Sequence, residues 1–97
     1  MNKKKRYNNP NIIETAAALK YDAAQDNAPV VVASGQGDLA KKIKELAREN
    51  KIPIFKDPVL AKTLASLGKD IEIPPELYET VAKILTFIYK IDQRNKR

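Results

Sequence analysis

The sequence predicts an α/β fold, and three observations carry that prediction. A β-branched run is bounded by proline and glycine, amphipathic helical patterns alternate with short apolar runs, and a long apolar stripe closes the chain. Short connections join these segments in the order strand–helix–strand–helix–helix, which suits helices layered on a sheet. A chain of 97 residues makes one modest domain, able to bury roughly 60–65% of the surface its unfolded form exposes.

Taken in order, "NIIETAAALKYD" (Asn11 to Asp22) is ambiguous. Its three alanines and leucine favour a helix by propensity, while turn-rich "NNP" and "DAAQDNAP" flank it. "APVVVASG" (Ala28 to Gly35) reads as a buried strand. From Asp38 to Asn50 the pattern is helical: Leu39, Ala40, Ile43, Leu46 and Ala47 share one face, and Asp38 is placed to cap the start. "IPIFKD" (Ile52 to Asp57) is expected as a second strand, with the preceding helix a right-handed crossover between parallel neighbours. "DPVLAKTLASLG" follows as a well-punctuated helix, with Asp57 as cap, Pro58 at the first helical position and Gly68 just past the end. "KDIEIPPE" reads as a link, and a long helix is expected from about Pro75 to Gln93.

That last helix carries two adjacent stripes. Leu77, Val81, Ile84, Ile88 and Ile91 step by alternating fours and threes; Tyr78, Ala82, Leu85 and Tyr89 repeat the steps one position along. Either both stripes pack on the sheet, or one edge stays open to a partner's apolar segment. Periodicity does not choose between them.

Composition removes several classes of function. The chain has no cysteine and no histidine, which excludes disulfides, thiolate metal sites and the usual general base. Glu72 and Glu76 stand where a helix dipole favours acids anyway. "SGQGD" lacks a GxGxxG or P-loop pattern, and Lys41, Lys42 and Lys44 fit a solvated helix face. No metal or cofactor is expected. No apolar run reaches the ~18 residues of a membrane span, and the start is not a secretory signal. The expected location is the cytoplasm.

The net charge of +6 resides at the ends. Lys3, Lys4, Lys5, Arg6, Lys90, Arg94, Lys96 and Arg97 supply 8 of the 18 basic residues, while Tyr7 to Tyr89 holds 10 basic and 11 acidic residues, a balance of −1. Such ends suit an anionic lipid surface, an acidic partner or simple solubility. They do not make a basic face that tracks phosphates. Nucleic-acid binding through the tails is the alternative from another class.

Together, "LKYD", "PVVVA", "A-x-E-N-x-I-P-I" and "IPPELYE-x-VA-x-IL" resemble, in order and spacing, the cytoplasmic C-terminal domain of the flagellar export-switch protein FlhB and its type III secretion relatives. The likeness runs from Ala18 to Tyr89. It implies a small mixed β-sheet flanked by helices with a long C-terminal helix, and it turns Thr15 to Tyr21 into a strand paired with "VVVAS". It divides the chain into a disordered basic tail (1–10), the domain (11–93) and a second basic tail (94–97). The family domain helps recruit export substrates and switches the apparatus from early to late cargo. It cleaves itself at Asn-Pro-Thr-His, where the asparagine amide attacks its own carbonyl.

That motif falls here on Asn11, Ile12, Ile13 and Glu14, so only the asparagine survives. Asn9-Pro10 is two residues early and lacks the threonine and histidine. The resemblance therefore implies a non-enzymatic, uncleaved, stand-alone adaptor. Its expected partners are export-gate proteins and export substrates, not nucleic acid, and it is expected as a monomer. The family's apolar docking patch falls on Ala28, Pro29, Ala82 and Leu85, all of them small or apolar.

Overall fold

The computed structural model describes residues 13–95, the last five by backbone alone. The expected basic N-terminal tail, Asn9-Pro10, Asn11 and Ile12 lie outside the described residues. The elements are β1 (Thr15–Lys20), β2 (Val30–Gln36), α1 (Asp38–Glu49), α2 (Pro58–Leu67), β3 (Ile71–Glu72), a 3-10 turn (Pro75–Leu77) and α3 (Tyr78–Asn95). The sheet order is β1-β2-β3, and both ladders are antiparallel. The α/β class with a long C-terminal helix is what forms. A parallel member of the expected mixed sheet is not among the described strands.

β1 shows why tertiary context overrides alanine's helix preference. Alternate residues of a strand face opposite sides, and here both sides carry helices. Ala17 and Leu19 pack with Val31 on one face against Leu60, Leu64 and Leu67 of α2, and the same cluster takes in Ile73, Leu77, Val81 and Leu85. On the other face Ala16 pairs with Gly35, and a Cβ added to Gly35 would lie 2.4 Å from Leu39 Cγ of α1. Ala40 of α1, 0% exposed, is buried apart from the main cluster. On the face beneath Leu39, where β2 carries Gly35, small side chains suit the close approach of α1. The register slips between Ala18 and Leu19, a bulge that gives Val32 no partner and sharpens the local twist.

The core itself is compact in residue count: Val31, Ile73 and Val81 are its largest fully buried side chains. Each contributes on the order of 1.5–3 kcal/mol by leaving water.

Helix ends follow local chemistry. Asp57 caps α2 as expected, its Oδ1 accepting from the Leu60 N–H at 3.1 Å, with Pro58 first in the helix and Gly68 (φ +99°) ending it. Asp38 does not cap α1. The capping position is Gly37, whose φ of 61° and ψ of −126° suit only glycine; Asp38 sits in the first turn, where the dipole favours an acid. α1 ends in a Schellman motif: the Ile52 N–H donates to Ala47 O at 2.8 Å and the Lys51 N–H to Arg48 O at 3.1 Å. Lys51 takes the left-handed conformation this requires (φ 58°).

The expected strand over Ile52 to Asp57 does not form, and neither does the parallel crossover that depended on it. Pro53 has no N–H to give a ladder, and both edges of β2 are already taken. The segment read as a link supplies the third strand instead. Asp70 N–H donates to Val31 O (2.6 Å) and Ile73 N–H to Pro29 O (2.9 Å), extending the two-residue β3 at each end. The long helix begins at Tyr78 after the 3-10 turn and runs to Asn95, two residues past its expected end.

Candidate functional site

The two stripes of α3 part company in the structure. Val81 of the first stripe is buried, and Leu77, Ile84 and Ile88 are half-buried; Tyr78, Ala82 and Tyr89 of the second are exposed, with Leu85 half-buried. The helix therefore seats one edge of its apolar face and leaves the other open.

That open edge forms one wall of a groove of ≈ 210 Å³, to which α3 contributes Tyr78, Val81, Ala82 and Leu85. The facing wall comes from the connection between β1 and β2, with Asn27, Ala28 and Pro29, and from Ile73 beyond β3. All four residues of the expected patch, Ala28, Pro29, Ala82 and Leu85, line this groove together. Ala28 is 2% exposed and Pro29 is buried, so these two make the floor, and the exposed Ala82 the rim. The hydrogen bond from Ile73 N–H to Pro29 O fixes that floor to the sheet.

Tyr21, Asn27 and Ile73 line the groove without having been read from the sequence. Tyr21 and Asn27 carried no periodic signal, and Ile73 lay in a segment read as a link. The β1–β2 connection is shaped by its own acids. Asp22 Oδ1 accepts from Ala24 N–H at 3.0 Å, and Asp26 Oδ2 accepts from Asp22 N–H at 2.8 Å. Lys20 Nζ stands 3.5 Å from the same Asp26 carboxylate.

Of the four positions aligned with the cleavage tetrapeptide, Asn11 and Ile12 are outside the described residues. Ile13 is 56% exposed. Glu14 accepts a hydrogen bond from Lys44 of α1, and its backbone carbonyl accepts from Gly37 N–H at 2.8 Å. The Lys44 hydrogen bond holds the Glu14 carboxyl below the ordinary value, aided by the charges of Lys44, Lys41 and Arg48 and opposed by partial desolvation. Among the described residues no cluster of His, Cys, Asp and Glu could hold a metal, and no helix is long and apolar enough to cross a membrane.

Fold and groove together define a small helix-flanked sheet domain that presents an apolar cleft between its last helix and the β1–β2 connection. Residues 8–88 match the FlhB HrpN YscU SpaS family, and the chain belongs to it. This is the family of the flagellar and type III export switch proteins.

The chain is 44% identical over 87 residues to the uncharacterized protein YlqH of Bacillus subtilis, a match covering 88% of this chain and 94% of that protein. It is 45% identical over 76 residues to the flagellar biosynthetic protein FlhB of Aquifex aeolicus, covering 75% of this chain but 21% of FlhB. The chain thus spans about a fifth of the FlhB proteins it matches. The crystal structure of the cytoplasmic domain of FlhB from Shewanella putrefaciens superposes with a TM-score of 0.81 at 38% identity, over 86% of this chain and 65% of that one. A histidine-to-alanine variant of the EscU C-terminal domain superposes with a TM-score of 0.74 at 27% identity, over 78% of this chain and 93% of that one.

Proposed function

We propose that the chain is a cytoplasmic, non-enzymatic adaptor of flagellar or type III protein export, built like the switch domain but uncleaved, and that its groove receives apolar segments of export substrates. The observation that carries this reading is the convergence of Ala28, Pro29, Ala82 and Leu85 on one apolar cleft in a member of the export-switch family. A cleft of this size takes one or two bulky apolar side chains, and its floor is held by backbone hydrogen bonding rather than by movable side chains.

The uncleaved state is supported by the residues at the aligned positions. Ile12 replaces the proline of the scissile bond, and the Glu14 carboxylate is engaged by Lys44 of α1. The purified protein is expected to run as one species of full-length mass; two fragments meeting at Asn9-Pro10 or Asn11-Ile12 would refute this part.

The wider reading is tested by pull-down from flagellated cells. Export-gate proteins or hook and rod subunits, identified by mass spectrometry, should be retained by the wild-type chain and lost with Ala82→Asp. Equal retention by both proteins would remove the groove from the mechanism.

A further inference from the structure

A second apolar surface lies apart from the groove. Six consecutive residues, Lys51 to Lys56, are all exposed, among them Ile52 (57%), Ile54 (46%) and Phe55 (45%). Phe55 meets Phe87 of α3 edge-on, with ring centroids 6.1 Å apart and an interplanar angle of 76°. Phe87 is itself 53% exposed, so the aromatic pair covers neither ring.

Lysines bracket both members of this pair. Lys51 and Lys56 bracket "IPIF" in the chain, and Lys83 and Lys90 sit at i−4 and i+3 from Phe87, on its face of the helix. Two of the acids nearest in sequence have partners of their own. Asp57 caps α2, and Glu79 pairs with Lys83 at 3.5 Å with both side chains largely in water, a weak contact. Past Lys90 the sequence adds Asp92 together with Arg94, Lys96 and Arg97, a net gain of two positive charges.

We propose that this surface is a peripheral membrane contact: Ile54, Phe55 and Phe87 enter the interface of an anionic bilayer while Lys51, Lys56, Lys83 and Lys90 engage its headgroups. Exposed aromatic and branched side chains with lysines around them match the layered polarity of that interface. The shape favours lipid over an acidic peptide. A peptide is held best in a cleft, whereas here six residues in a row are exposed outside any strand or helix, with Phe55 resting on Phe87. Lysine also fits a diffuse field of headgroups better than the paired geometry that selects arginine. Each lysine near an anionic surface is worth about fivefold in affinity, so reversing two of them is expected to cost more than about 25-fold.

The test is sedimentation of the full chain with phosphatidylcholine vesicles, with and without about one-third phosphatidylserine. Wild type should bind only the anionic vesicles. Lys51→Glu with Lys56→Glu should abolish binding, while Lys62→Glu with Lys69→Glu, equal in net charge, should cost only a few-fold. Because the chain lacks tryptophan, Phe55→Trp supplies a lone reporter whose emission should shift to the blue on anionic vesicles. Three results would each overturn the proposal. One is binding unchanged by the patch reversal and lost on trimming residues 1–6 and 94–97; another is binding without the blue shift. The last is failure to bind the anionic vesicles, whether or not polyglutamate is bound.

Discussion

Val81 and Ala82 are neighbours on α3 with opposite surroundings, which makes them a direct test of how the helix divides its duties. Val81 is 1% exposed and belongs to the core cluster. Truncating it to alanine removes two methyl groups, and at ~0.8 kcal/mol for each buried carbon the transfer loss is about 1.6 kcal/mol. Incomplete collapse of the cavity raises the total to about 2 kcal/mol. In a domain of this size that lowers Tm by about 8–16 °C. Ala82→Asp, in contrast, places its carboxylate in water at the groove rim. Its expected cost is about 0.7 kcal/mol, the difference in helix propensity. A bound apolar segment would bury that carboxylate without a partner, so binding should fall by at least about tenfold. Thermal unfolding of the two variants, alongside retention of export proteins, separates the cases. If Ala82→Asp melts as low as Val81→Ala, position 82 is packing and the groove argument fails.

Other consequences follow from single contacts. Gly35→Ala should cost about 1–3 kcal/mol by overpacking, because the new Cβ would lie 2.4–2.9 Å from three atoms of Leu39. Adding Leu39→Ala should recover only part of the loss in chemical denaturation, since Leu39 Cβ at 2.9 Å remains. Glu14 has its carboxyl lowered in the fold, first by the Lys44 hydrogen bond. It therefore stabilises the protein above the ordinary value of 4.5, and the gain is lost as pH falls through the folded value. Glu14→Gln should flatten the acid limb of stability against pH, and an unchanged limb would show the pair to be inert. Asp57→Ala should cost about 1 kcal/mol through loss of the α2 cap, read as a drop in urea midpoint at constant slope.

Where a residue's effect is local, the sequence mostly announced the structure, the cap of α1 at Gly37 rather than Asp38 being the exception. Asp57, Pro58 and Gly68 mark α2 because capping and proline geometry act within one turn. The apolar face of α1 and the valines of β2 were likewise visible as periodicity. What depended on distant partners was not. The run over Ile52 to Asp57 has strand composition, yet β2 offers it no free edge. β3 is too short for any period and exists because Asp70 and Ile73 find carbonyls on Val31 and Pro29. Ala16 to Ala18 read locally as helix; only the family resemblance turned them into a strand, and the helices on both faces supply the cause. The groove was half legible in the same way. Its four patch positions came from the resemblance, whereas Tyr21, Asn27 and Ile73 join it through the β1–β2 connection and the β3 ladder, neither of which has a signature in one dimension.

The walls of the groove differ in stiffness. One is pinned to the sheet through Pro29 and Ile73; the other is a helix that continues to Asn95, about 20 Å beyond Ala82 at 1.5 Å per residue. Its buried seat is at Val81, and a rigid helix pivoting there acts as a lever. An occupant that wedges the groove open and tilts α3 by about 5° would carry its far end through about 1.7 Å over that arm. A chemically modest cleft is thereby geared to a displacement that a neighbouring protein or surface could sense at a distance.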